Sequence, residues 1–407
     1  MSTGLRRYGE LVRTPGVAWV GAASVLARLP IGMTTLALLL LVRGSTGSIA
    51  AAGAATACFG LASGAAAPLR GRLVDRLGAA PVLAVTSPAQ ALALAGLALA
   101  AGHAPLGVVL AAAAVAGALL PPFGPVSRTL WRAMLARDDL RQAAYSLDAM
   151  ALQVLYYAAG PLLVALLSSA GSPALAVWVI AGLTVVGGVL MTASPAARRP
   201  PAPYERTHWL GPLAVPAIWG VLVIVLADSA AIAAAEVGVT AFTASHGAPA
   251  LSGVTLAMLG VGSIVGGLFQ GARTWRASLR RQYTGWLVVL TAGFVPLPVA
   301  PGVAGLAALM AIAGLAVAPV GAVQFGLMGE LAPAGTVTEA YTWLLSASLA
   351  GGAAGSALGG IAAASGGGRA ALAAGVALAA GAVLLSLLTG ARPRGFPRAF
   401  RTRPCTG

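Results

Sequence analysis

The sequence predicts an all-α membrane protein of twelve transmembrane helices in two pseudo-symmetric six-helix bundles. Three observations predict it. Of 407 residues, 58% are apolar and only 9% are charged, whereas a soluble domain keeps about a quarter of its residues charged. Apolar runs of about 20 residues, the length that crosses a bilayer, recur along the whole chain. The basic residues fall almost entirely on one side of the predicted spans, as the positive-inside rule requires.

The spans, in order, are 16–42, 49–69, 79–101, 105–127, 143–168, 174–193, 213–243, 251–271, 283–300, 303–328, 337–362 and 369–390. Only Pro301-Gly302 separates the ninth from the tenth. With both ends of the chain inside, 22 of the 25 Arg lie in inside segments, Arg43 and Arg369 lie outside, and Arg28 lies within the first span. An odd number of spans would destroy that asymmetry. The stretch SPAARRPPAPYERTHWLGP divides the chain into an N-terminal bundle (1–193), a cytoplasmic linker (194–211), a C-terminal bundle (212–390) and a basic cytoplasmic tail (391–407).

The two halves carry traces of a repeat. A shift of 200 residues aligns Gly53 with Gly253, Gly60 with Gly260, Ser63 with Ser263, Gly71 with Gly271 and Arg76 with Arg276. A shift of 197 aligns the stretch from Pro122 with that from Pro319, and a shift of 196 aligns Ala144-Tyr145 with Ala340-Tyr341. Six spans per copy give both copies the same orientation, an arrangement known among transporters.

Composition excludes several chemistries. Every basic residue is Arg, and without Lys there is neither a P-loop for ATP nor a Schiff base. The net charge of +15 reads as cytoplasmic anchoring rather than nucleic-acid binding. Cys58 lies in an apolar span and Cys405 in the tail, so no disulfide framework is implied. The polar N-terminus leads straight into a full-length span, unlike a cleaved signal peptide. His103 and His246 fall in outer loops and His208 in the linker, with no metal-ligand spacing, so neither metal nor cofactor is expected. The tail reads as a basic end, with acidic lipid headgroups the alternative partner.

Residues 70–78, RGRLVDRLG, concentrate four charges in an inside loop between spans 2 and 3. Gly71, Leu73, Asp75, Arg76 and Gly78 give the pattern G-x-L-x-D-R-x-G, which resembles the signature loop of the major facilitator superfamily. Looser likenesses to actinobacterial, drug-efflux-like members run through LARLPIGM (26–33), AYSLDAMALQVLYYAAGP (144–161) and APAGTVTEAYTW (332–343). Gly160-Pro161 resembles the Gly-Pro element of proton-driven exporters, although the longer glycine pattern is missing. In the second copy Trp275 replaces the acid. The resemblance implies that this loop closes the cytoplasmic side against the other half. Asp75 with the start of span 11 is the first candidate contact, since an acid beside a helix N-terminus is stabilised by the macrodipole. Arg76 with Asp148 is the second. Arg70 and Arg72 read as anchoring charges, and Glu339 as a helix-start acid.

Charges at membrane depth cost at least about 2.5–3.5 kcal/mol and read as functional. Arg28 lies in span 1, and Asp228 and Glu236 in span 7. Arg28 and Asp228 are repeat equivalents, and the resemblance places spans 1 and 7 across a central cavity. They are expected to pair or to influence each other's protonation, with a structural salt bridge as the alternative. Asp228 and Glu236 rank equally as carriers of a coupling proton. They are eight residues apart, about 12 Å along a helix. Pro30 and Gly32 are expected to break helix 1. Gln153, Tyr156, Tyr157 and Gln324 are polar at depth and either line a substrate cavity or make ordinary interhelical hydrogen bonds.

The expectation is therefore a monomeric secondary transporter of the plasma (inner) membrane, with protons and a small molecule as partners and no enzymatic activity. Its expected task is proton-coupled efflux of a small hydrophobic or amphipathic compound. The alternatives are uptake of a small metabolite, an anion drawn to Arg28 among the candidates, and a non-transporting scaffold or receptor.

Overall fold

The computed structural model describes residues 2–200 and 210–390. The tail (391–407, with Cys405) and residues 201–209 of the central linker (with His208) lie outside the described residues. The described residues are helices and short connections. After an N-terminal helix α1 (Ser2–Arg13) come α2 (Val17–Thr46), α3 (Ile49–Leu77), α4 (Ala79–Ala100), α5 (Leu106–Ala118), α6 (Phe123–Met134) and α7 (Asp138–Val154). A π-helical turn, Leu155–Ala159, joins α7 to α8 (Gly160–Ala170), and α9 (Pro173–Ala193) follows. Beyond the linker run α10 (Pro216–Ser245), α11 (Ser252–Ala272), α12 (Leu279–Phe294), α13 (Val303–Gly314), α14 (Val317–Leu331) and α15 (Val337–Gly390). Local signals set the ends. Ser48 caps α3 by accepting from Ala51 N at 3.2 Å, satisfying one of the orphan N–H groups of the first turn. Gly47, at φ +68°, closes α2 with the left-handed residue that ends many helices.

Among the described residues, eleven helical stretches are long and apolar enough to cross a membrane, where the sequence predicts twelve. The difference lies in α15. A straight helix of its 54 residues would be about 80 Å long, far more than a bilayer. Its backbone leaves helical geometry at Gly366 and Gly367. Before that point Gly351, Gly355 and Gly359 approach Leu226, Ala230 and Ala234 of α10; after it Gly368 and Gly375 approach Phe242 and Ala231. The chain therefore runs along α10 in one direction, reverses at the two glycines and returns. Gly367 has φ +69°, a conformation that costs other residues strain.

Four predicted elements differ from the structure. Helix 1 is not broken at Pro30: α2 continues through it. The break is in the neighbour instead. Pro161 lacks an N–H and its ring crowds the carbonyl four residues back, and the π turn at Leu155–Ala159 widens the helix just there. Gly32 and Gly160 let the two backbones touch at this point, since a Cβ on Gly32 would lie 2.1 Å from Leu155 O. The fourth span divides at Leu119–Pro122 into α5 and α6, and the tenth divides at Leu315–Ala316 into α13 and α14. Finally, residues 70–77 are not a loop: they form the last two turns of α3, and only Gly78, at φ +94°, links it to α4.

The repeat is visible as geometry. Gly117 meets Phe59 O, where a Cβ would be 2.1 Å away. Gly314 meets Leu259 O with the same 2.1 Å. These are equivalent residues under the shifts of 197 and 200. The apolar interior is divided unevenly. At the end bearing the Arg-rich connections one core joins both portions of the chain, taking in Leu11, Trp131, Tyr145, Met150, Phe325, Met328 and Tyr341. Toward the other end two cores are separate, one drawn from residues 33–181 and one from 231–379.

Candidate functional site

The shared end is held by a polar latch. Asp75, on the last turn of α3, accepts from Thr338 N at 3.0 Å and Glu339 N at 2.7 Å. These are first-turn N–H groups of α15, which lack intrahelical partners, and the helix dipole adds to the attraction. Gly71 permits the approach: a Cβ there would lie 2.4 Å from Thr342 Oγ1 and 2.7 Å from Glu339 Cα. Arg72, expected as an anchoring charge, forms a fork with Glu339 instead. Its Nη2 lies 2.7 Å from Oε1 and its Nε donates to Oε2 at 3.0 Å. Glu339 itself is wholly buried, so the pair is shielded from solvent on the acid's side. Arg70 serves a different purpose. It is buried and donates to Ser63 O at 2.7 Å and to Gly117 O and Ala118 O at 3.1 Å, satisfying carbonyls at the end of α5. Leu73 and Arg76 are exposed on the same two turns.

Two further bonds cross at this end: Tyr145 Oη to Tyr341 Oη at 3.0 Å, and Thr129 Oγ1 to Thr338 Oγ1 at 3.0 Å. Tyr145 and Tyr341 are equivalents under the shift of 196. Residues related by a pseudo-twofold meet each other only near its axis, so that alignment was a usable signal for this contact.

Asp148 is not the partner of Arg76 expected from the sequence. It is 1% exposed and lies between two arginines: Arg28 Nη1 at 2.5 Å from Oδ1, and Arg128 Nε at 2.8 Å from Oδ2. Nor does Arg28 pair with Asp228. It is held at Asp148 by its helix partners, with Nε donating to Ser24 O at 3.1 Å. Arg128 also stacks its guanidinium over Phe325, 3.6 Å from the ring centre, a cation–π contact from the other portion of the chain. With span 4 ending at 127, Arg128 is expected in an inner loop. The Pro-Pro break places it inside, on α6, where it is buried.

Asp228, 2% exposed, has a neutral surrounding. Gln324 Nε2 donates to its Oδ2 at 2.5 Å and to Tyr283 Oη at 3.1 Å, and Tyr283 Oη lies 3.5 Å from the same carboxylate oxygen. Tyr283, at the predicted start of span 9, was not singled out by sequence. Glu236, two turns further along α10, accepts from Tyr157 Oη. That bond joins the π turn to α10 and so crosses between the two portions of the chain. Among the described residues neither acid makes a salt bridge. Gln153 is half-buried with its Oε1 lacking a hydrogen bond, and Tyr156 is 44% exposed on the π turn. Of the predicted cavity residues, then, Gln324 and Tyr157 join the two acids, Arg28 joins Asp148, and Gln153 and Tyr156 stand on the helix between.

A family model described as Major Facilitator Superfamily matches residues 20–295. The human organic anion transporter MFSD10 (TETRAN) superposes with TM-score 0.74 at 15% identity, covering 91% of this chain and 98% of that one. A bacterial homologue of the iron transporter ferroportin in the outward-facing state gives 0.74 at 13%, covering 92% and 99%. The Escherichia coli fucose:proton symporter FucP gives 0.73 at 12%, covering 93% and 99%. At these identities the likeness is one of fold. No curated protein matches the chain by sequence. With its family model covering well over half of the sequence, this membrane protein belongs to the Major Facilitator Superfamily.

Proposed function

We propose that the chain is a proton-coupled secondary transporter of the plasma membrane that exports a small amphipathic compound by alternating access. In this reading α15 supplies two spans, giving twelve in all, grouped as bundles 1–193 and 212–390 with both termini cytoplasmic. The latched, shared-core end is the cytoplasmic side, so the structure represents an outward-facing state. Rocking the bundles would break the Asp75 and Arg72 contacts and the tyrosine pair while closing the opposite end.

The observation that carries the reading is the pair of acids in α10 whose polar contacts are neutral. An ionised carboxylate buried without a cation costs several kcal/mol. A group that takes up and releases a proton in each cycle bears that cost only in part of the cycle, which makes intramembrane acids the usual proton relays. Glu236 has the stronger claim of the two, because its bond to Tyr157 spans the bundles and must be remade when they move. Asp228 with Gln324 and Tyr283 forms the adjoining station.

The test is accumulation of a compound panel in cells lacking their own pumps, with wild type, Asp228→Asn and Glu236→Gln, each with and without a protonophore. Export abolished by an acid substitution and by the protonophore supports the reading. A compound exported unchanged in both variants refutes proton coupling through α10. The second reading, uptake of an anionic metabolite, is favoured by Arg28, and raised accumulation in the same assay would select it.

A further inference from the structure

Beside the Arg28–Asp148 contact the structure holds a cavity of about 340 Å³ between α1, α2, α6 and α7, at the small end of the range for ligand sites. Its walls are apolar, with Leu11, Val17, Val25, Leu147 and Ala151 prominent, and Arg28 and Asp148 are the charged residues that line it. All the lining residues belong to the N-terminal half, so it is separate from the Asp228 and Glu236 stations.

The charges do not balance. Arg28 and Arg128 face one Asp148, which leaves a buried excess of one positive charge. Asp148 Oδ1 and Arg28 Nη1 face each other at 2.5 Å, and the spare capacity left at this contact is that of donors. Arg28 Nη2 is buried without a hydrogen-bond partner, and so is Nε1 of Trp131, which lines the same cavity. Two unpartnered N–H groups and a net positive charge in an apolar chamber specify the missing complement. It is a group that accepts hydrogen bonds, carries one negative charge and is attached to an apolar body. A buried cation that lacks such a complement is costly, and a carboxylate on a guanidinium is the strong form of the contact.

We propose that this cavity is a binding site for an amphipathic monocarboxylate, with its carboxylate at Arg28 and Trp131 and its hydrocarbon portion along α2 and α7. This names a cargo class for the transporter proposed above, and rests on that reading only for what becomes of the bound anion, not for its binding.

The experiment is equilibrium binding of radiolabelled octanoate to the purified full chain in phosphatidylcholine nanodiscs, with empty nanodiscs as the blank. Saturable binding near one equivalent, displaced by unlabelled octanoate but not by octylamine and only weakly by octanol, is expected. Arg28→Gln should weaken it by about tenfold or more, the worth of a lost charge-assisted bond. Gly21 lines the cavity, and a Cβ there meets nothing within 4 Å. Gly21→Leu therefore fills the chamber without touching the charges and should also weaken octanoate, which keeps the test alive should Arg28→Gln misfold. Displacement by octanol as effective as by octanoate, or wild-type affinity in a folded Arg28→Gln, overturns the site. Loss of octanoate binding when phosphatidylglycerol is added to the discs overturns it as a cargo site and makes it a lipid anchor. Octanoate bound as expected but never moved in the protonophore assay would sink the transporter reading and leave the site standing.

Discussion

Asp75→Asn perturbs the latch at its centre with almost no change of shape. In the structure both carboxylate oxygens accept, one from Thr338 N at 3.0 Å and one from Glu339 N at 2.7 Å. An amide has a single acceptor oxygen, so one of these N–H groups must face an NH₂ and the other loses a charged partner. A charge-assisted hydrogen bond contributes about 1.5–3 kcal/mol net, and each 1.4 kcal/mol is tenfold in an equilibrium. When the latch is open the same side chain is hydrated, so nearly the whole loss falls on the closed state. The closed-to-open ratio at this end should fall by roughly ten- to a hundredfold. Spin labels at Ala136→Cys and Arg276→Cys, both exposed at this end on opposite sides of the chain, would report it as a distance distribution in a Cys58→Ser, Cys405→Ser background. A long-distance population that grows in Asp75→Asn is expected. An unchanged distribution in a folded variant would refute the latch and reduce residues 70–78 to an anchor.

The other expectations are more local. A double-mutant cycle on Arg72→Gln and Glu339→Gln should give a coupling of about 1–2 kcal/mol in the same distance assay, with Glu339→Gln the costlier single change because Glu339 is buried and Arg72 is about one-third exposed; zero coupling would dismiss the fork. Gly117→Ala and Gly314→Ala should each lower thermal stability, by about 1–3 kcal/mol, since each Cβ would meet a backbone oxygen. Gly96→Ala and Gly285→Ala, in open space on α4 and α12, should be neutral or slightly stabilising; equal losses at all four would discredit the equivalent contacts. Arg70→Ala should cost about 3 kcal/mol or more, read by thermal unfolding in detergent, because it leaves several buried carbonyls unsatisfied.

The legible part of the latch was the acid. Asp75 stands out in an Arg-rich stretch because anchoring has no use for a carboxylate, and the helix start it needs was readable from the sequence at 332–343. Arg72 and Glu339 were read separately as anchor and helix start, since nothing local ties residues 267 positions apart. The depth of Arg28 marks it as costly but does not name its partner: repeat equivalence marks positions that face one another across an axis, not side chains that reach. Arg128 was lost to a span boundary. A Pro-Pro break inside a hydrophobic run leaves hydropathy almost unchanged while moving the next turn into the core.

By itself the sequence determined that this chain lives in a bilayer, where its apolar spans lie and which connections are cationic. Each of these follows from interactions between residues and solvent: apolar length against membrane thickness, and Arg against the direction of insertion. Where backbones touch was a structural outcome: Gly71, Gly117 and Gly314 sit against neighbouring helices, while Gly53, Gly96 and Gly285 face open space. Only the tertiary structure decided which charges meet. A buried ion pair is chosen by a few ångströms of approach between distant segments, and here the π turn at Leu155–Ala159, the break before α6 and the reversal at Gly366–Gly367 set those distances. They gave Asp148 two arginines and left Asp228 and Glu236 with neutral partners, because pairing in a medium without water depends on which groups packing brings within reach.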